Sequence, residues 1–315
     1  ILKAECELAL GKYPESLQTI AAGIERYSWS VRLRLLEYKS ALANGKRDQA
    51  ATALIETERL VRSASWRYTD ADDLVALGEI ALALGADAKA VQEGFFERAR
   101  RNYANRPEGF LAAGRLALRK GDVAFAAELL SEAEKTMPEQ AEIAFLLSEA
   151  FRTSDREHAS ALLKRSLELN SHFAPALLRV AEQQIDGEDY PGAETTLQQV
   201  LKVNPHQPEA HSLQAVIWHL RNDAAAADTS RAKAVAFSIT NPEVDHLIGR
   251  KLSQKYRFSE GADFQRKALE VDADFVEAKI QLAQDLLRLG EEAEGWILAE
   301  QAYEADGYNT TLFNL

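Results

Sequence analysis

The stretch Ala176–Pro205, ALLRVAEQQIDGEDYPGAETTLQQVLKVNP, decides the fold. Its small residues Ala181 and Ala193 each belong to a series that runs along the whole chain. The first series is Ser148, Ala181, Ala215, Gly249 and Ala283, spaced 33, 34, 34 and 34 residues apart, with Ala4, Gly78 and Gly114 upstream. The second is Ser16, Ala50, Ala90, Ala126, Ala159, Ala193, Ala227, Gly261 and Gly295, and the third is Ala99, Ala133, Ser166, Ala234, Ala268 and Ala302, with Val200 in its remaining slot. Small side chains at a fixed period are what antiparallel helices need where ridges enter grooves, because a bulky residue there holds the helices apart. Turn signals fall between the series. Gly11, Gly45, Gly85, Gly121 and Gly290 separate the two helices of a unit, and Met137-Pro138 and Asn204-Pro205 separate units. Pro107, Pro175, Pro208 and Pro242 open helices, where a missing N–H costs little.

Composition agrees. Ala, Leu and Glu dominate, and Gly (16) and Pro (8) are sparse in 315 residues, a balance that favours helix throughout. The net charge of -12 repels phosphate, so nucleic acid and anionic membrane surfaces are disfavoured partners. No apolar run approaches the roughly 20 residues of a membrane-spanning helix. The lone cysteine, Cys6, forms no internal disulfide or thiolate cage and leaves the compartment open. The chain begins at Ile1 rather than Met, so any targeting segment is expected to lie outside this sequence.

These three interlocked series resemble the tetratricopeptide repeat family, whose 34-residue unit carries small residues at positions 8, 20 and 27 and often Pro at 32. The resemblance implies an all-α superhelix of about nine helix pairs in one solenoid over residues 1–315. Its units are expected at 1–30, 31–62, 71–106, 107–140, 141–173, 174–207, 208–241, 242–275 and 276–309, with residues 310–315 starting a further helix. Departures from the pattern mark irregular places. Tyr38 occupies a small position, two extra residues stand between Ala90 and Ala99, and six stand near Ser63–Asp73.

The resemblance implies a protein-binding scaffold of bacterial type, whose inner groove is lined by positions 2, 5, 9, 12 and 13 of each first helix, of which 5, 9 and 12 fall on one face. On this sequence those three positions supply Leu35, Lys39, Leu42, Val75, Leu82, Leu111, Arg115, Leu118, Phe145, Arg152, Leu178 and Ile185. They form an apolar floor edged by both charge signs, suited to an amphipathic helix or an extended peptide. The alternative is that the same side chains only pack neighbouring first helices together. No clamp of Lys and Asn for a terminal carboxylate and no Asn ladder is present.

No HExxH, CxxC, phosphate-cradling loop or nucleophile elbow occurs, so no catalysis and no cofactor are expected of this segment. His206, Glu209 and His211 come close in sequence but read as polar groups at a helix start. Trp29, Trp66, Trp218 and Trp296 read as packing residues, Trp66 least clearly. Two further readings stay open. The stretch from Gly295, GWILAEQAYEADGYNTTLFNL, is similar to the junction where a zinc peptidase-like domain follows bacterial repeats, which would make the chain a substrate-recruiting arm or place its own continuation in the groove. Self-association through Leu312, Phe313 and Leu315 is the other.

Overall fold

The computed structural model describes residues 1–306, and those residues form consecutive antiparallel helix pairs without a strand. The expected helix start at 310–315 lies outside the described residues. The first helices of the pairs are α1 (Leu2–Ala9), α3 (Val31–Ala43), α5 (Ala71–Ala83), α8 (Glu108–Arg119), α10 (Ala141–Phe151), α12 (Ala174–Asp186), α14 (Pro208–Leu220), α16 (Pro242–Gln254) and α18 (Val276–Leu289). Their second helices are α2 (Tyr13–Arg26), α4 (Arg47–Ala64), α9 (Val123–Thr136), α11 (Arg156–Leu169), α13 (Tyr190–Val203), α15 (Ala224–Ala234), α17 (Phe258–Val271) and α19 (Glu292–Ala305), the third pair being completed by α6 (Ala88–Val91) and α7 (Glu97–Asn102). The chain divides into two compact units, Ile1–Ala176 and the part that begins at Leu177, with the division inside α12.

Close approach at the small positions is visible in atomic terms. Ala4, Ala126, Ala133, Ala181, Ala193, Ala215, Ala227, Ala268, Ala283 and Ala302 are all fully buried. At Gly261 an added Cβ would collide with Ser253 Oγ and stand 3.1 Å from the carbonyl oxygen of Gly249, so α16 and α17 touch backbone to backbone. Where serine takes a small position its hydroxyl is used across the pair: Ser16 donates to the carbonyl of Ala4 at 2.9 Å, and Ser166 to that of Ala141 at 2.7 Å. Larger apolar residues fill the space these contacts leave. Phe110, Leu116, Leu130, Ile143 and Leu147 form one core in the first unit, and Ala262, Leu282 and Leu286 form one in the second.

Among the described residues, eight of the nine turns within pairs reverse through one left-handed residue, the turn between α10 and α11 being the exception. Gly11, Gly45, Gly85, Gly121 and Gly290 have φ between 66° and 84°. The same slot in the intervening pairs is held by Glu188, Asn222 and Tyr256, at φ 64°, 59° and 62°. Asparagine tolerates this region; a tyrosine does so at a cost of about 1–2 kcal/mol.

Both insertions become irregular helix. The residues near Ser63–Asp73 lengthen α4 to 18 residues and add a 3₁₀ turn, Ser65–Arg67, after which Tyr68 is buried and donates its hydroxyl to the carbonyl of Trp29 at 2.9 Å. The extra residues between Ala90 and Ala99 form a π turn, Gln92–Phe96, that joins α6 to α7. That turn drives the Phe96 ring against Gly78, at a position where no side chain fits.

Burial leaves one titratable group poised in the second unit. Asp285 is fully buried, and that burial pushes its carboxyl up to about 6 despite hydrogen bonds from Ser253 Oγ at 2.8 Å and Gln281 Nε2 at 3.0 Å. A raised folded-state value means stability that is present below the unfolded value, 3.8, and is lost as pH rises through about 6. Asp285→Asn is therefore expected to raise Tm at about pH 7.5, with the gain vanishing towards about pH 4, as read by thermal melts at both values. At the turns, Tyr256→Gly is expected to stabilise the protein by about 1 kcal/mol in chemical denaturation. Gly261→Ala is expected to cost about 1–3 kcal/mol in the same assay through overpacking. A neutral Gly261→Ala would refute the close approach of α16 and α17.

Candidate functional site

In the first unit the helices α3, α5 and α8 stand side by side and leave a cavity of about 770 Å³ between them. Leu35, Leu82, Ala83, Ala112, Leu118 and Leu146 supply its apolar wall, with Tyr38 beside them. Phe96, carried on the π turn, reaches this space from the second-helix side. A volume in this range is that of a preformed pocket rather than of a packing defect.

Charge on this face is organised into strings. Lys39 pairs with Glu79 at 2.5 Å, Glu79 lies 3.8 Å from Arg115, and Arg115 pairs with Glu142 at 2.5 Å. A second string joins Arg32 to Asp72 at 2.7 Å, Asp72 to Arg106 at 3.0 Å, and Arg106 to Glu108 at 2.8 Å. The first string joins position 9 of α3, α5 and α8 and ends at position 2 of α10, and the second joins position 2 of α3, α5 and α8 through Arg106, which precedes α8.

The structure brings five of the twelve groove positions to the cavity: Leu35, Lys39, Leu82, Arg115 and Leu118. Leu111 is buried in the core, and Val75 and Phe145 are half-buried against that same core. Phe145 meets Phe173 edge to face, with ring centroids 5.7 Å apart. Leu42 is exposed, and so is Arg152, whose guanidinium lies 3.9 Å from Glu149. Leu178 is half-buried and Ile185 fully buried, both in the second unit. Tyr38 and Phe96 line the cavity without a place in the repeat's groove pattern, whereas Arg119 stands at position 13 of its repeat, a groove position. The oversized residue at a small position points to Tyr38, and the insertion before Ala99 points to Phe96.

The corresponding face of the second unit carries its own ion cluster. Lys251, on α16 and only 2% exposed, reaches Asp186 at 2.7 Å and Glu182 at 3.5 Å on α12, two repeats back. Burial alone raises the Glu182 carboxyl, but the neighbouring Arg179, Arg250 and Lys251 outweigh it and hold it below its ordinary value. Lys255 adds a hydrogen bond to the carbonyl of Asp186 at 2.8 Å. His246, at position 5 of its repeat, pairs through Nδ1 with Gln265 Oε1 at 2.9 Å, and burial pushes its imidazole down to about 4.

Among the described residues no cluster of His, Cys, Asp and Glu is arranged to hold a metal, and no helix is long and apolar enough to cross a membrane. His211 is buried with Nε2 at 2.9 Å from the carbonyl of Pro205 and Nδ1 at 3.0 Å from Gln214, while His206 packs on Phe237. The tryptophan expectation needs correction. Trp29, Trp66 and Trp296 are exposed rather than packed, and the Arg67 guanidinium lies over both Trp29 and Trp66, at 5.3 and 5.7 Å. The lengthened α4 and its 3₁₀ turn carry Trp66 outward, and α19 is the last described helix, so no further helix among the described residues covers Trp296.

Comparison with known proteins agrees with this architecture. Two family models described as tetratricopeptide repeat match, one at residues 111–171 and one at 150–217. No curated protein matches the sequence. Among solved structures, the APC/C hetero-tetramer Cut9-Hcn1 shares the fold at a TM-score of 0.55 and 11% identity, over 96% of this chain and 58% of that one. Yeast Tom70 does so at 0.53 and 17%, over 87% and 59%. An IFIT1 monomeric mutant with m7Gppp-AAAA does so at 0.52 and 17%, over 93% and 67%. This chain spans less than two thirds of the first two, and at these identities the likeness is one of fold. With the matched repeats at its centre and the same small-residue series and helix pairing from Ala4 to Ala302, the chain is a tetratricopeptide-repeat protein of the α–α superhelix class.

Proposed function

We propose that this chain is a non-catalytic interaction scaffold that receives a helical or extended segment of another protein in the groove of its first unit. Tetratricopeptide repeats are protein-interaction modules, and the family supports the coarse reading. The finer reading rests on one observation: the cavity between α3, α5 and α8 has an apolar wall and no side chain of its own filling it. Burying a Leu or Phe of a partner there contributes about 1.5–3 kcal/mol per side chain. Two or three such anchors contribute about 3–9 kcal/mol in all, so that, less the cost of ordering the segment, the expected affinity is weaker than about micromolar. Nucleic acid is disfavoured by the net charge of -12.

A displayed library of random peptides selected against the chain tests this reading. Leu82→Asp and Leu118→Asp are each expected to weaken the selected peptides by about tenfold or more. Helicity by circular dichroism should stay unchanged, and Val123→Asp, at an exposed site on α9, should bind as the parent does. Selected peptides that bind both groove variants undiminished would refute the assignment.

A further inference from the structure

We infer that the segment accepted by this groove is acidic as well as apolar, and that Arg119 reads its charge. The inference rests on the groove reading above and adds the chemistry of the occupant. Four charged side chains line the cavity, Lys39, Glu79, Arg115 and Arg119, so three of the four are cationic in a chain whose net charge is -12. Lys39, Glu79 and Arg115 are committed to the string that ends on Glu142. Arg119 has no ion pair among the described residues and is exposed to solvent.

Position explains how such a cation selects. Arg115 and Arg119 are four residues apart on α8, and so project from one face, one turn from each other. Arg119 is the last residue of α8, beside Leu118 on the cavity wall. A partner helix that seats an apolar side chain against Leu82, Leu118 and Phe96 brings a side chain three or four positions away to the level of Arg119. A carboxylate there accepts two N–H bonds from the guanidinium fork. A lysine there meets an unpaired cation, and the one carboxylate that lines the cavity, Glu79, is already flanked by Lys39 and Arg115.

A helix-ending arginine also stabilises its own helix through the terminal dipole. The test therefore reads preference as well as stability. Three labelled peptides of about 15 residues, amidated so that every carboxylate is a side chain, share one apolar face and carry Glu, Gln or Lys at the flanking positions. Fluorescence anisotropy measures each against the parent chain, Arg119→Gln, Arg119→Glu and Leu118→Asp.

The expected order for the parent is Glu over Gln over Lys, with about tenfold between the extremes, narrowing at high salt. Arg119→Gln should remove most of the Glu preference, Arg119→Glu should invert the order, and Leu118→Asp should weaken all three. A role confined to the helix dipole would lower Tm in Arg119→Gln and leave the order of the three peptides unchanged. Equal binding of the three to the parent, or an order that survives Arg119→Glu, overturns the charge rule and leaves the groove. Failure of all three to bind overturns the groove reading and the charge rule together.

Discussion

The fold depends on how closely two helices come together where the side chain is small. At Gly249 and Gly261 the backbones themselves are in contact, and elsewhere a buried alanine or a serine hydroxyl bonded across the pair does the same work. Everything larger is arranged around these points. Leucines and phenylalanines fill the wedge that opens on either side, all but one of the turns within pairs are held to a single left-handed residue, and within each unit the first helices stand side by side. Strings of alternating charge then follow from that arrangement.

This constraint makes the architecture legible in the sequence. Stacked helix pairs require a small residue once per pair, a recurrence far longer than the period of about 2 of a strand or about 3.6 of a single helix. Five of the left-handed turn residues are also legible, because glycine announces them. Glu188, Asn222 and Tyr256 hold the same conformation without such an announcement, as nothing in a glutamate or a tyrosine marks φ near 60°. The insertion before Ala99 is visible as two extra residues, but not its outcome, a π turn that delivers Phe96 to the cavity. Trp66 departs from expectation because a large apolar residue in a helical pattern usually packs inward and the lengthened α4 with its 3₁₀ turn reverses that here, whereas Trp29 lies in the turn between α2 and α3.

The site is less legible than the fold, and the cause lies in the neighbours of each position. The repeat pattern assigns the same role to the same position in every unit, whereas the side chains beside it decide whether a groove remains. In the first unit Ala83 and Ala112 are short enough to leave a space, and the charges of the face neutralise one another along its edge. In the second unit Lys251 and Arg250 turn inward to Glu182 and Asp186. A lysine on a first helix reads as solvated in sequence, and its burial depends on two carboxylates sixty-odd residues away.

That reach of Lys251 over an intervening helix pair bears on how the array can change over time. A solenoid in which each pair touches only its neighbours can lose or duplicate one pair by recombination, because the cut ends are equivalent. Between α12 and α16 the second unit adds a contact that skips a pair. Excising one 34-residue period from between them would bring Lys251 against the wrong partner and leave Glu182 and Asp186 facing each other's charge. Deleting the pair between α12 and α16 would therefore break an ion cluster as well as the interfaces between neighbours.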